Sequence, residues 1–245
     1  MSAEKEKSKV HKLSLKGSSK LVSEFFEYSI NSILYFHTAR NEDRRPMLIL
    51  SSYQRGVYPA EDFSPVKKYG LNMLVTSDDQ VKAYIKKIMS QLNKWMIGGK
   101  ISKLVVVITS KETGENVERW QFDVQLHSKS ASKSSRTAAA AKDKENAAAA
   151  AAADTGVTVE KTEQEIQQEI QAIFRQITAS VTFLPVLDGN CTFNVLVYAD
   201  ADSEVPVEWG DSDAREITNG EKVQLRSFST NNHRVDTLVS YRLAD

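Results

Sequence analysis

The sequence of 245 residues holds a single cysteine, Cys191, which excludes an internal disulfide and any zinc or iron–sulfur site built from several cysteines. It also lacks a net charge, because 32 lysines and arginines balance 32 aspartates and glutamates, so no overall field attracts a nucleic acid. No apolar run approaches the roughly 18 residues of a membrane-spanning helix, and the lysine-rich start contains no apolar signal core. We therefore expect a soluble intracellular protein without nucleic-acid or membrane partners.

Residues that could support catalysis or bind a metal are scattered along the chain. The four histidines form no pair at helical spacing; they are His11, His37, His127 and His233. The Gly-Gly-Lys triplet at 98–100 lacks the other residues of a phosphate-binding loop, so a helix end is the better interpretation. We predict no catalytic residue, no metal and no cofactor. A cysteine-dependent enzyme that pairs Cys191 with a distant histidine stays as an alternative, although the start of an apolar strand favours an inert, buried thiol.

Apolar periodicity predicts three helices and about six strands. The helical segments are about 21–34, 77–96 and 160–180. The predicted strands are 104–108 and 117–126, joined as a hairpin, followed by 181–187, 192–198, 222–229 and 234–243. We expect Ser18 or Ser19 to cap the first helix. Because helices and strands are present in these proportions without an internal repeat, the sequence predicts an α+β fold.

Three stretches differ in composition from the rest of the chain. Residues 1–12 are polar and rich in lysine, which predicts a flexible tail before a single domain of 13–245. Residues 36–53 contain a charged cluster followed by Pro46, and we interpret them as a surface excursion. Residues 129–156 are rich in serine and alanine, and alanine offers little surface to bury, so we expect an enlarged loop.

Six blocks of the sequence resemble, in order, the spindle-checkpoint members of the HORMA family, of the mitotic-arrest-deficient-two type. The blocks are GSSKLVSEFFEYSINSILY, QRGVYPAEDFSPVKKYGLNMLVT, KLVVVITSKETGENVERWQFDV, FRQITASVTFLPVL, CTFNVLVY and VQLRSFST. The resemblance extends over about 13–243 and is interrupted at 36–53 and 129–156, which we interpret as insertions.

The resemblance implies a HORMA-like α+β fold, in which three main helices pack on a mostly antiparallel sheet. It also implies a mobile C-terminal segment, the safety belt, at about 203–245. In the family this segment either caps the sheet or crosses the domain and closes over a bound peptide. The peptide would pair as an added strand with 192–198, near the third helix. The function implied is that of a non-catalytic adaptor that switches between an open and a closed conformer.

Two groups of site residues follow from the same resemblance. The residues implied in peptide binding and in the safety belt are Phe193, Val195, Val197, Trp209, Phe228, Leu238 and Tyr241. Those implied in dimerisation of open and closed conformers are Arg175, Gln176 and Phe183. Without the resemblance, Arg175 and Gln176 read as solvated helix residues and Phe183 as a core residue.

The resemblance further implies partners and a location. The partners are the mitotic activator of the anaphase-promoting complex, the mitotic-arrest-deficient-one kinetochore anchor, the checkpoint kinase complex and a second copy of the chain. The location is the nucleus, the kinetochore in mitosis, and the cytoplasm. An alternative within the same fold is a HORMA adaptor of a translesion polymerase or of the meiotic axis, and the six blocks fit it less well.

Overall fold

A computed structural model describes residues 14–36, 62–127, 161–185, 187 and 191–242. The predicted 1–12 tail, the 129–156 insertion and all but the first residue of the 36–53 insertion lie outside the described residues. The helices are α1 (Leu15–Phe36), α2 (Asp79–Ile97) and α3 (Glu163–Ala179). The strands are β1 (Phe63–Lys68), β2 (Leu71–Thr76), β3 (Ile101–Ser110), β4 (Asn116–Leu126), β5 (Cys191–Ala199), β6 (Glu221–Gln224), β7 (Phe228–Ser229) and β8 (His233–Tyr241).

The described strands form two antiparallel sheets. In the larger sheet the strand order is β5-β3-β4-β8-β6, and β7 pairs with β8 beside β6. β1 and β2 form a separate hairpin, which the sequence analysis missed. Three helices on a mostly antiparallel sheet confirm the predicted fold class.

Helix α1 lies at the centre of the core. Its broad apolar face is fully buried, through Val22, Phe25, Phe26, Ile30, Ile33 and Leu34. The Phe25 ring lies within 6 Å of rings from β4, α3 and β7, namely Phe122 at 5.8 Å, Phe174 at 5.3 Å and Phe228 at 4.8 Å. One aromatic side chain therefore connects the sheet, the third helix and the C-terminal segment.

A polar side chain caps the N-terminus of each of the three helices, and one predicted cap is wrong. The backbone N–H of Gly17 donates to Ser14 Oγ, so Ser14 caps α1, and the prediction of Ser18 or Ser19 is wrong because both are buried inside the helix. Thr162 caps α3 and forms a capping box with Glu165. Asp78 caps α2 by accepting two backbone hydrogen bonds.

Two predicted strands differ from the structure. The strand at 181–187 is wrong, because the chain continues from α3 into a 3-10 turn, Ser180–Thr182, in which the N–H groups of Phe183 and Leu184 donate to the Ser180 carbonyl. The strand at 222–229 is divided into β6 and β7. The interruption falls at Arg226, whose backbone N–H donates to the side chain of Gln176 on α3 instead of to a neighbouring strand.

Candidate functional site: a sheet edge closed by a belt

Strand β5 ends the larger sheet. Its nine residues pair with β3 over the full length, from Cys191 opposite Ser110 to Ala199 opposite Ile101. Among the described residues no strand pairs with the other side of β5. Such an edge is a template for one more strand, because its outward backbone groups can complete a second ladder.

The side chains of β5 alternate between two faces. Phe193 and Val195 are buried on the helical face, and Val197 is half-buried. On that face the ring of Tyr84, from α2, lies 5.6 Å from the ring of Phe193. Burial raises the pKa of Tyr84, while an interaction with the backbone of Val195 lowers it by a smaller amount. The helix beside β5 is therefore α2, and the expectation that α3 lies next to this edge is wrong.

We call residues 200–220 the crossing segment, because they leave the end of β5 and return to the sheet at β6. Seven of residues 200–216 are acidic and one, Arg215, is basic. The segment is first held near the end of α2. The backbone N–H of Asp200 donates to the Lys100 carbonyl, and Lys100 Nζ lies 2.7 Å from the Asp202 carboxylate. The hydrogen bond from Lys100 lowers the pKa of Asp202.

Two tryptophans fasten the crossing segment to α2. Trp95 Nε1 donates to the Glu204 carbonyl over 3.0 Å, and the rings of Trp95 and Trp209 meet edge to face at 5.2 Å. An ion pair of 3.2 Å joins Lys87 of α2 to Glu208, and the hydrogen bond from Lys87 lowers the pKa of Glu208. The buried Trp95 of α2 and Trp209 of the crossing segment are therefore in direct contact.

Farther along, the crossing segment passes over β4. Arg119 donates from Nε to the Ala214 carbonyl over 3.1 Å, and its Nη2 lies 3.1 Å from Glu216 Oε1. Ile217 is then buried, and Gly220 approaches β8 so closely that a Cβ there would lie 2.7 Å from the Tyr241 carbonyl oxygen. The segment is thus fixed to the body at both ends.

We call residues 221–241, which contain β6, β7 and β8, the anchoring hairpin. β8 lies between β4 and β6, with Val239 opposite Trp120 on one side and Val223 on the other. Near the β7–β8 turn, Ser18 Oγ lies 2.6 Å from both His233 Nδ1 and Thr230 Oγ1. Burial lowers the pKa of His233 to about 4. The hairpin is therefore built into the sheet and tied to the start of α1.

The structure divides the residues predicted for peptide binding and the belt into three places. Phe193, Val195 and Val197 lie on β5, and Trp209 lies in the crossing segment. Phe228, Leu238 and Tyr241 lie in the anchoring hairpin. Because β3 and β4 separate β8 from β5, roughly 14 Å of sheet lies between the last group and the β5 edge. That group lies within the predicted belt region, 203–245, and does not line the edge.

Two of the residues predicted for dimerisation lie near the C-terminal end of α3, and the third, Phe183, follows the 3-10 turn after that helix. Arg175 is exposed, and Gln176 is half-buried and accepts the Arg226 hydrogen bond. Phe183 is 38% exposed, and its ring lies 5.8 Å from that of Tyr241 in the anchoring hairpin. Phe183 is thus a surface residue and not a core residue. Dimerisation through this surface stays a prediction.

Sequence reasoning missed the body residues that hold the crossing segment. Lys87, Lys100 and Arg119 are spread over α2, the loop after it and β4, and their acidic partners follow about 100–120 positions later. The one available signal was the acidic composition of 200–216, which required a basic counterpart somewhere on the body.

No group of three or more histidine, cysteine or acidic side chains among the described residues has the geometry to hold a metal ion. In the same residues, no helix is both long enough and apolar enough to span a membrane. Cys191 is 5% exposed at the first position of β5, which agrees with the interpretation of a buried thiol.

Comparisons with known proteins identify the family. The HORMA domain profile matches residues 18–233. The chain is 52% identical to the mitotic spindle checkpoint component mad2 of Schizosaccharomyces pombe over 94% of each chain. It is 40% identical to the mitotic spindle assembly checkpoint protein MAD2A of Homo sapiens, over 94% of this chain and 93% of that protein.

Solved structures agree at the level of the fold. A chain in the crystal structure of a mitotic checkpoint complex superposes with a TM-score of 0.70 at 50% identity, covering 93% of this chain and 99% of that one. Caenorhabditis elegans HTP-1 bound to the HIM-3 closure motif gives 0.64 at 14% identity, over 95% of this chain and 93% of that one, which shows the fold alone. From its edge strand, its belt and these relatives, this chain belongs to the HORMA domain family and, within it, to the spindle checkpoint proteins of the mad2 type.

Proposed function

We propose that this protein is a spindle assembly checkpoint adaptor that clamps a short peptide of its partner and so delays anaphase. The observation that carries the proposal is that the structure combines an edge strand, β5, with a crossing segment that contacts the body of the protein at both ends. A peptide paired with β5 would lie under that segment. Main-chain hydrogen bonds would then supply affinity, and the closed belt would prevent release.

The arrangement of the C-terminal segment is that of the closed conformer. The anchoring hairpin pairs with β4, at the side of the sheet away from β5, so it does not cap the edge where the peptide would pair. The open conformer would require the hairpin to leave β4 and cover β5 instead. Such an exchange breaks the complete ladder between β4 and β8. Peptide capture should therefore be slow compared with protein association at a typical rate constant of about 10⁵–10⁷ M⁻¹s⁻¹.

The proposed ligands are short motifs in the mitotic activator of the anaphase-promoting complex and in the mitotic-arrest-deficient-one kinetochore anchor. Further proposed partners are the checkpoint kinase complex and a second copy of the chain, which would dock at the α3 surface of Arg175, Gln176 and Phe183. We place the protein in the nucleus, at kinetochores during mitosis, and in the cytoplasm. Imaging of the tagged protein before and during mitosis tests the location. No catalytic step is required for this function.

The binding mode can be tested with backbone-modified peptides and the full-length protein. A fluorescent synthetic peptide carrying the activator motif is compared with two versions that are N-methylated at alternate residues, in the two possible registers. A strand pairs along one edge through every second residue, so one register should lose affinity by at least tenfold and the other should bind almost as tightly as the unmodified peptide.

Two results would contradict the proposal. If the unmodified activator and anchor peptides fail to bind, the chain does not have this function. If both N-methylated registers bind as tightly as the unmodified peptide, the ligand is held by side chains and not by strand addition. The HIM-3 closure motif is a suitable comparison peptide, since a distant protein of the same fold binds it.

A further inference from the structure

We propose that Arg119 is a positioning residue that holds the crossing segment over the sheet and thereby sets how often the closed belt opens. This inference deepens the proposed clamp and rests on it. The residue lies on β4, outside the stretch 203–245 that the family resemblance assigns to the belt. Its contribution would be made from the rigid body of the protein.

The burial of Arg119 is unusual for its position. Side chains alternate along β4, and Trp120 and Phe122 enter the core, where the Phe122 ring contacts those of Phe25 and Phe26. Arg119 therefore points to the opposite face of the sheet, where charged side chains are normally solvated. Its side chain is nevertheless 1% exposed, so part of the chain covers it.

The cover includes the crossing segment itself. The Nε of Arg119 donates to the Ala214 carbonyl over 3.1 Å. Its Nη2 forms an ion pair of 3.1 Å with Glu216, but the geometry of this pair is not that of a hydrogen bond. On its other side the guanidinium donates from Nη1 to Gln121 Oε1 over 2.6 Å. Gln121 in turn donates to the Asp123 carboxylate over 2.8 Å. Neighbours on β4 thus orient the guanidinium toward the belt.

The backbone of the crossing segment is adapted to this contact. Arg215 has a φ of 48°, in the left-handed region that residues other than glycine rarely adopt. It lies between Ala214 and Glu216, so this one conformation brings a carbonyl and a carboxylate to the same guanidinium. Such strain persists where surrounding contacts fix it. Here the fork of Arg119 and an ion pair of 2.9 Å between Arg215 and Asp213 provide those contacts.

The contact is placed at the level where a peptide would pair. Arg119 is opposite Val107 on β3, and Val107 is opposite Asn194 on β5. Opening the belt at this level removes two of the three partners of a buried guanidinium, and hydrogen bonds to charged groups are among the stronger ones in proteins. A lysine carries the same charge but cannot bridge a carbonyl and a carboxylate with a planar fork.

Amide hydrogen exchange of the full-length protein, without any peptide, tests the inference. In Arg119→Lys we expect amides within 210–217 to exchange at least about tenfold faster, while amides of α1 and β3 keep their protection. Glu216→Gln should give a smaller acceleration in the same residues, because the Glu216 side chain is 53% exposed. Arg234→Gln is the control, since it removes a cation that lies on the same face, opposite Gln125, and is paired with Asp236 of β8, and it should leave 210–217 unchanged.

Three results would overturn the inference. Wild-type protection of 210–217 in Arg119→Lys would show that the guanidinium fork is not needed. Acceleration spread equally over β3, β4 and α1 would show that Arg119 stabilises the whole domain. Equal acceleration in Arg234→Gln would assign the effect to the charge of the face. Because no peptide is used, each of these results leaves the test of peptide capture independent.

Discussion

The two parts of the C-terminal segment are held to the protein in different ways. The anchoring hairpin shares complete ladders with the sheet, and Phe228, Val235 and Val239 are buried in the core. The crossing segment has no described strand. It is held by one ring contact, the burial of Ile217, a few hydrogen bonds and ion pairs whose carboxylates are exposed, and its Val207 is fully exposed. Local opening is easiest where apolar burial is smallest. We infer that, within this conformer, the hairpin anchors the C-terminal segment and the crossing segment is the part that opens locally.

The strongest test of this difference is the truncation of Phe228 to alanine. Phe228 is 1% exposed and contacts Phe25, the central residue of the core. We expect the free energy of unfolding to fall by about 3–5 kcal/mol, because a large core cavity would form. Val207→Ala in the crossing segment is the control and should change it by less than about 0.5 kcal/mol. Urea unfolding measures both, and similar values for the two variants would remove the distinction between the parts.

A pH titration of stability probes the hairpin at His233. Burial holds the pKa of His233 near 4 in the folded protein, below its ordinary value of 6.5. The unfolded chain therefore binds a proton first, so this contribution to stability is complete above pH 6.5 and is lost as the pH falls toward 4. We expect a loss of about 2 kcal/mol from this residue.

Unfolding of the wild type and of His233→Gln across this pH range measures the contribution. The variant should lose most of the pH dependence between pH 6.5 and 4. His127→Gln, at an exposed position beside the turn, should keep most of it, because the charge of His127 is the smaller of the two causes that lower the pKa of His233. If the free energy of unfolding of His233→Gln depends on pH as strongly as that of the wild type, the titrating group is another residue.

The junction between the two parts can be tested at Gly220. A Cβ at this position would lie 2.6 Å from Ile217 Cγ2 and 2.7 Å from the Tyr241 carbonyl oxygen. Backbone cannot yield as a flexible side chain can, so we expect Gly220→Ala to destabilise the protein by about 1–2 kcal/mol. Gly210→Ala, where no atom lies within 4 Å of the added carbon, is the matched control. Equal melting temperatures for the two variants would contradict the close approach of this junction to β8.

The smallest effect is expected in the crossing segment, at Trp209. Removing its ring abolishes the edge-to-face contact with Trp95, which is worth about 0.5–1.5 kcal/mol beyond the area buried. We expect Trp209→Ala to open the segment locally, so that amides near 204–209 exchange faster while global unfolding changes by less than about 1 kcal/mol. Trp209→Phe keeps a ring and should retain most of the protection. A large loss of global stability in Trp209→Ala would mean that the crossing segment is part of the core.

Much of the fold was accessible from the sequence because its signals are local. The apolar stripes of α1, α2 and α3, the β3–β4 hairpin and the β8 alternation are periodic over 9–22 residues, and each was predicted. Three of the misses are local, namely the β1–β2 hairpin, the Ser14 cap and the 3-10 turn after α3, and one was decided by a long-range contact. The strand predicted at 222–229 divides at Arg226, because that backbone N–H is taken by Gln176 from another element.

The site shows the same separation between local and long-range information. By itself the sequence determined a strand at 192–198, and the family resemblance of its blocks implied that this strand is an edge followed by a belt. Only the tertiary structure decided that β8 lies between β4 and β6, that Tyr84 of α2 lies beside β5, and that Arg119 meets Ala214 and Glu216. The physical reason is that periodicity reports which face of an element is buried, whereas the choice of partner depends on competing long-range contacts of similar free energy.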